Sequence, residues 1–213
     1  MKKTIITICM LISVSVYAQE NKKFIKAMET NVQLLDSAES IDQFQNAANA
    51  FERISNAEKN EWLPVYYNAF ANLMIGLQQT ENTKKDEYFD KAEALINKAD
   101  EISKDNSEIY AMHAWIVSMK ISDDPMNRGM QLGMQSGMLT ETAMKLDPEN
   151  PRPYLLKGLG AMYTPEQYGG GKDKALPILE QAVEKFSKFK PTSSIMPKWG
   201  EAKAKSALEE CKN

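Results

Sequence analysis

Four methionines recur at every fourth position of one segment, and they are the residues of this sequence most suited to chemistry. They are Met126, Met130, Met134 and Met138, and a glycine stands three positions after each of the first three. On a helix, steps of four residues drift by about 40°, so the thioethers follow a slanted stripe on one face. A site for soft Cu(I) and an adaptable apolar binding surface are two functional hypotheses for such a stripe. The interpretation that we favour is packing against neighbouring helices, with methionine filling the gaps left by glycine.

Side chains suited to catalysis are sparse. The sequence has one histidine, His113, and two cysteines, Cys9 and Cys211. A structural zinc site or a Cys–His catalytic pair needs more such groups. His113 is predicted to be structural, and only a contact with a buried carboxylate would favour an enzyme. The pair Asp123-Asp124 is typical of a loop and helix cap. We therefore predict a protein that is not an enzyme and that holds no metal or cofactor of its own.

The segment Gly169-Gly170-Gly171-Lys172 invites comparison with a phosphate-binding loop. That motif needs a glycine five positions before its Gly-Lys pair, a hydroxyl residue after the lysine and a preceding strand. Here Glu166 and Asp173 occupy the glycine and hydroxyl positions. The segment predicts a tight turn before a helix.

The overall composition is that of a globular protein. It is 43% hydrophobic and 26% charged, and the formal net charge is −3. Phosphate binding requires concentrated lysine and arginine, so nucleic acid is not expected as a partner.

The first eighteen residues have the pattern of a secretory signal peptide. Lys2 and Lys3 precede an apolar run from Ile5 to Val16, and Ala18 supplies a small residue for cleavage. Such a run is shorter than the ~20 residues of a membrane-spanning helix. We predict cleavage after Ala18, a mature domain of residues 19–213 without a membrane span, and a periplasmic or secreted location. Cys211 would then be the only cysteine, available for contact between chains.

Aromatic residues mark an internal repeat in the mature chain. Tyr66, Tyr110 and Tyr154 are spaced by 44 residues, and Trp199 follows after 45. A small residue stands three or four positions after each: Ala69, Ala114, Gly158 and Ala202. One helical turn separates each pair, so a neighbouring backbone can come close beside the aromatic ring. Each copy predicts a helix A, with Ile195–Ala202 as the fourth.

A second helix is predicted between consecutive copies. Apolar residues in the segments 92–99 and 175–182 follow the pattern Ala-x3-Ile/Leu-x2-Ala, which is a helical stripe. No segment after the signal peptide has the alternation that indicates a strand. The sequence thus predicts an all-α array of antiparallel helix pairs, an α-solenoid of about four repeats with a period near 44 residues.

The pattern of helix A, helix B and the Asp147-Pro148 turn resembles the tetratricopeptide repeat. The resemblance covers about residues 40 to 211, although the family period is 34 residues rather than 44. With the signal peptide, it is similar to the exported repeat proteins of diderm bacteria. The Gly-Gly turn before helix B is also similar to that of the helical-repeat subunit of some periplasmic solute transporters.

The tetratricopeptide resemblance implies a concave face lined mainly by helix A. The residues that it places there are Tyr67, Met74, Ala111, Trp115, Met119, Leu155, Leu159, Met162 and Tyr163, with Glu108 and Arg152 at the rim. Fold analogy favours a non-enzymatic binding or scaffold protein that holds a protein or peptide partner on this face. The alternative is a component that binds a small apolar ligand.

Overall fold

The computed structural model of the chain describes residues 22–122 and 124–213, and all regular secondary structure in these ranges is helical, with no strand. The predicted signal peptide, its cleavage after Ala18 and Asp123 lie outside the described residues. The α-helices are α1 (residues 22–36), α2 (Ile41–Ala57), α3 (Trp62–Gln78), α4 (Asn82–Ile102), α5 (Ser107–Met119), α6 (Pro125–Leu146), α7 (Pro151–Tyr163), α8 (Lys172–Lys188) and α9 (Glu201–Lys212). A short 3-10 helix, Glu166–Tyr168, lies between α7 and α8.

Polar caps determine where several helices begin. Ser40 and Gln43 form a capping box at the start of α2. Asn106 and Asn150 accept hydrogen bonds from the backbone amide of the second residue of α5 and of α7, and Asp124 accepts one from the third residue of α6. These side chains satisfy amides that have no partner inside the helix. The two asparagines are 44 residues apart, so the cap repeats with the helix pair.

The helices pack as consecutive pairs, which confirms the predicted array. Each of α2 to α8 contacts the next helix, and α3, α5, α7 and α9 also contact along one layer. The odd-numbered helices therefore form an inner layer and the even-numbered helices an outer one. Helices α4 and α6 have 21 and 22 residues, which accounts for a repeat longer than 34.

Two apolar clusters form the core. One joins α1 to α5, and the other joins α7, α8 and α9. A β-carbon at Gly158 would lie 2.6 Å from the side chain of Leu179, so the small residue allows α7 and α8 to approach closely, as predicted. No helix in the part of the chain that the structure describes is long and apolar enough to cross a membrane.

The turn before α8 is tight, as predicted. Gly169 and Gly171 have φ values of 85° and 100°, which is the left-handed region that favours glycine. The segment is thus a chain reversal between the 3-10 helix and α8.

The predicted fourth helix A is wrong. Residues 189–200 have no regular secondary structure, and α9 begins at Glu201, after Trp199. Pro191 and Pro197 explain the difference, because proline removes a backbone donor and disfavours helix in the residue before it. We call residues 189–200 the strap.

The methionine stripe, Met126, Met130, Met134 and Met138, is on the surface, so the predicted packing is wrong. The four side chains are 93%, 85%, 65% and 60% exposed in sequence order. Helix α6 packs through its other face, where Thr140 and Ala143 are its buried residues. A helical period shows which residues share a face, but not whether another helix covers it.

Candidate ligand-binding groove

The strap crosses the inner layer of helices. The Ser194 hydroxyl donates to the Glu29 carboxylate on α1 at 2.6 Å. On α3, the Tyr67 hydroxyl donates to the carbonyl of Ile195 at 2.8 Å, and the Trp199 indole donates to the Tyr66 hydroxyl at 2.7 Å. The strap thereby covers part of the inner layer of helices.

Arg152 on α7 holds the strap from below. Its side chain is 0% exposed, and it donates to Glu108 at 2.8 Å and to the carbonyl of Pro197. The guanidinium also lies over the rings of Phe189 and Trp199, 4.9 and 5.3 Å from their centroids. The predicted rim position of Arg152 and Glu108 is therefore wrong, because the two side chains pair with each other inside the protein. They stand at equivalent positions of consecutive repeats.

Burial shifts the titration of the groups under the strap. It raises the pKa of Glu108 to about 7, although the Arg152 charge and hydrogen bond lower it. One Glu108 oxygen, Oε2, has no hydrogen-bond partner among the described residues, which adds to the cost of its charged form. Burial also raises the pKa of Tyr66 and of Tyr67. These phenols are neutral and act as hydrogen-bonding groups.

Beyond the strap, the inner layer keeps partly exposed apolar side chains, and we call this surface the inner groove after its predicted position. It consists of residues in the C-terminal halves of α3, α5 and α7, and the strap approaches it at Trp199. Its residues are Phe70, Met74, Trp115, Met119, Leu159, Met162 and Tyr163. The ring of Trp115 lies 5.9 Å from that of Phe70 and 4.7 Å from that of Trp199. The groove is apolar and rich in flat or flexible side chains.

The predicted concave residues divide into buried and partly exposed positions. Tyr67, Glu108, Ala111, Arg152 and Leu155 are buried. Met74, Trp115, Met119, Leu159 and Met162 are half-buried, and Tyr163 is 64% exposed. Their role in binding stays a prediction.

Sequence reasoning missed Phe70 and the strap. Phe70 stands four residues before Met74, as Trp115 stands before Met119, so the same register would have found it. The two prolines of the strap were a signal against a helix, but the repeat pattern predicts a helix over part of it.

His113 lies at the contact between α4 and α5, away from the inner groove. Its ring is 3.1 Å from Glu93, whose carboxylate also accepts from Lys120 at 2.7 Å. The hydrogen bond from His113, with help from Lys120, lowers the pKa of Glu93 to about 2 against the effect of burial. A histidine–carboxylate contact is thus present, but the same carboxylate also pairs with Lys120, and the three groups join α4 to α5. In the ranges 22–122 and 124–213, no group of three His, Cys, Asp or Glu residues is arranged to hold a metal.

A depression in the surface lies between α1 and α2, away from the inner groove. Its volume is about 320 Å³, and it is open to solvent. Phe24, Ala50 and Ile54 form its apolar wall, with Lys23 and Arg53 among its polar residues. None of the predicted concave residues lines it.

The helical array has a counterpart among solved structures. The chain is similar to the HusA haemophore from Porphyromonas gingivalis, with 31% sequence identity and a TM-score of 0.80. The match covers 89% of this chain and 92% of that chain. The chain belongs to the family of the HusA haemophore.

Other comparisons add less to this assignment. A thermophilic TPR protein from Thermus thermophilus has 13% identity to this HusA-family chain and a TM-score of 0.45, over 87% of this chain and 99% of that one. No family model and no curated protein matches the chain.

Proposed function

We propose that this protein is a binding protein for haem or a closely related porphyrin, held in the inner groove. Membership of the family of a haemophore supports the proposal, and the partly exposed apolar and aromatic side chains of the inner groove are the observation on this chain that carries it. Ligand sites are concave and mostly apolar, with a few polar groups that set orientation. The strap shortens the open surface, which favours a small flat ligand over an extended peptide.

The chemistry of the inner groove suits a porphyrin. The rings of Phe70 and Trp115 offer faces for contact with a flat macrocycle. Methionine side chains adapt their shape to a ligand, and three of them line the groove. Lys198 beside Trp199 is exposed and can pair with a carboxylate of the ligand.

The inner groove also contains side chains of the types that bind haem iron. Methionine thioethers and a tyrosine phenolate both serve as axial ligands in haem proteins. Met74, Met119 and Met162 provide the first type and Tyr163 the second. His113 lies elsewhere, so we propose that one or two of these four groups bind the iron at its axial positions.

Replacing Trp115 with alanine should weaken haem binding by about tenfold or more, because the groove loses its largest aromatic face. A titration of the purified protein followed by haem absorbance measures the Kd. Trp115→Phe keeps a ring and should retain most of the affinity. Leu34→Ala removes an exposed apolar side chain on α1 and should leave the Kd unchanged.

Two results would contradict the proposal. If wild-type protein does not bind haem, the function is wrong. If Trp115→Ala folds normally and binds haem as wild type does, or if Leu34→Ala weakens binding equally, the inner groove is not the site.

A protein or peptide partner stays a prediction, as does contact through Cys211, which is a free half-buried cysteine in the structure. Both predictions concern contacts with a second chain, and the structure contains one chain.

We further propose that the protein is exported after cleavage of residues 1–18. The basic start, the short apolar run and Ala18 support this. Mass spectrometry of the protein from its native cells should find a chain that begins near Gln19. A chain that retains residues 1–18 would contradict export by cleavage.

A further inference from the structure

The methionine stripe on α6 lies outside the inner groove and has no role in the fold. Among the described residues, its four members are half of the large hydrophobic side chains that are exposed. The three glycines between them are equally unexplained by packing, since a β-carbon at Gly129, Gly133 or Gly137 would meet nothing within 4 Å. Each glycine inside a helix costs about 1 kcal/mol relative to alanine. A contribution to stability therefore explains neither the exposed methionines nor the glycines of this helix.

The geometry of α6 brings consecutive sulfur atoms within reach of one another. Residues four apart on a helix have β-carbons about 5–6 Å apart. Methionine is unbranched and flexible, so two neighbouring thioethers can turn toward a common point. The glycines leave the helix surface beside each methionine open, so the side chains can lie along it. Met130 and Met134 each have another methionine one turn away on both sides.

Side chains that would bind hard metal ions are scarce on this face of α6. Asn127 and Gln131 are neutral, and Glu141 is held by Lys157 at 2.7 Å. Thioether sulfur is a soft ligand that selects Cu(I), whereas carboxylates and water suit Mg²⁺ and Ca²⁺.

We propose that the methionine stripe is a binding site for a monovalent soft metal ion, of which Cu(I) is the biological example, centred on Met130 and Met134. Met126 and Met138 provide further thioethers on either side. Binding involves no change in the oxidation state of the ion and does not depend on haem binding in the inner groove.

The test is the affinity of the purified protein for Ag(I), a stable substitute for Cu(I), measured by calorimetry, and for Cu(I) in competition with a coloured chelator without oxygen. Met130→Leu/Met134→Leu should weaken both by at least about tenfold. The two methionines that remain are 12 positions apart, or about 18 Å along the helix, and cannot share an ion. Leucine is nearly isosteric with methionine, so the apolar surface is kept.

Two control variants separate the site from methionine content. Met126→Leu/Met138→Leu removes as many thioethers but keeps a neighbouring pair, and it should bind more tightly than Met130→Leu/Met134→Leu. Met144→Leu, on the same helix but outside the stripe, should bind as wild type does. Haem affinity should be the same in all variants. The proposal is wrong if wild-type protein binds neither ion, or if the two double variants bind with equal affinity.

Discussion

Replacing Arg152 with alanine is expected to lower the free energy of unfolding by about 3–5 kcal/mol at a pH above about 7, where Glu108 is ionised. That is the usual loss when one partner of a buried ion pair is removed. The side chain is fully buried and bonds both Glu108 and the strap carbonyl of Pro197. Alanine leaves a cavity and an unpaired carbonyl, and it removes the cation beneath the Phe189 and Trp199 rings. The strap should therefore loosen as well as the whole fold.

Urea unfolding measures the first effect, and limited proteolysis measures the second. Trypsin should cut after Lys198 faster in Arg152→Ala than in wild type, because that exposed lysine lies in the strap. Arg152→Lys keeps the charge without the planar fork, and it should fall between the two. Lys157→Ala removes an exposed ion pair from the same helix and should cost less than about 1 kcal/mol. Equal effects of Arg152→Ala and Lys157→Ala would show that the buried pair does not hold the strap.

The stability of the protein is expected to fall as pH rises from about 4.5 to about 7, because of Glu108. Its pKa is about 7 in the folded chain, against an ordinary value of 4.5. Between these pH values the folded state keeps a proton that the unfolded state has lost, so raising the pH favours unfolding. The contribution is fully present below pH 4.5 and is lost above about pH 7. It amounts to no more than about 3 kcal/mol.

Glu108→Gln is the matched control for this effect, because glutamine keeps the shape and does not titrate. Chemical unfolding at pH 4.5, 5.5, 6.5 and 7.5 measures the free energy of unfolding of both proteins. As pH rises, wild type should lose stability relative to Glu108→Gln. Glu93, with its pKa near 2, titrates below this window and acts equally in both proteins. Parallel curves for the two proteins would refute the raised pKa.

The repeat illustrates how much of the fold was predictable. The spacing of Tyr66, Tyr110 and Tyr154 predicted three helices that the structure contains as α3, α5 and α7. The stripes around Ile96 and Leu179 predicted the faces that α4 and α8 bury. These features are local, since helical periodicity and capping depend on residues within a few turns of one another.

The candidate groove was predictable only in part. Trp115, Met119 and Met162 were placed on the concave face by their register, and the structure leaves them half-buried. Arg152 and Glu108 were placed at its rim, because nothing in their local sequence shows that the strap covers them. Their pairing joins residues 44 positions apart, and the strap reaches them from a further 45.

The amino-acid sequence by itself determined the all-α class, the helix pairs and the period near 44 residues. The reason is that the apolar residues of each helix recur at helical spacing within the helix itself. Only the tertiary structure decided which faces are covered. Trp199 lies in a strap over the inner layer because two prolines prevent a helix there, and the methionine stripe faces solvent because α6 packs through its other side. Whether a face is buried depends on residues distant in the chain, which a local pattern does not record.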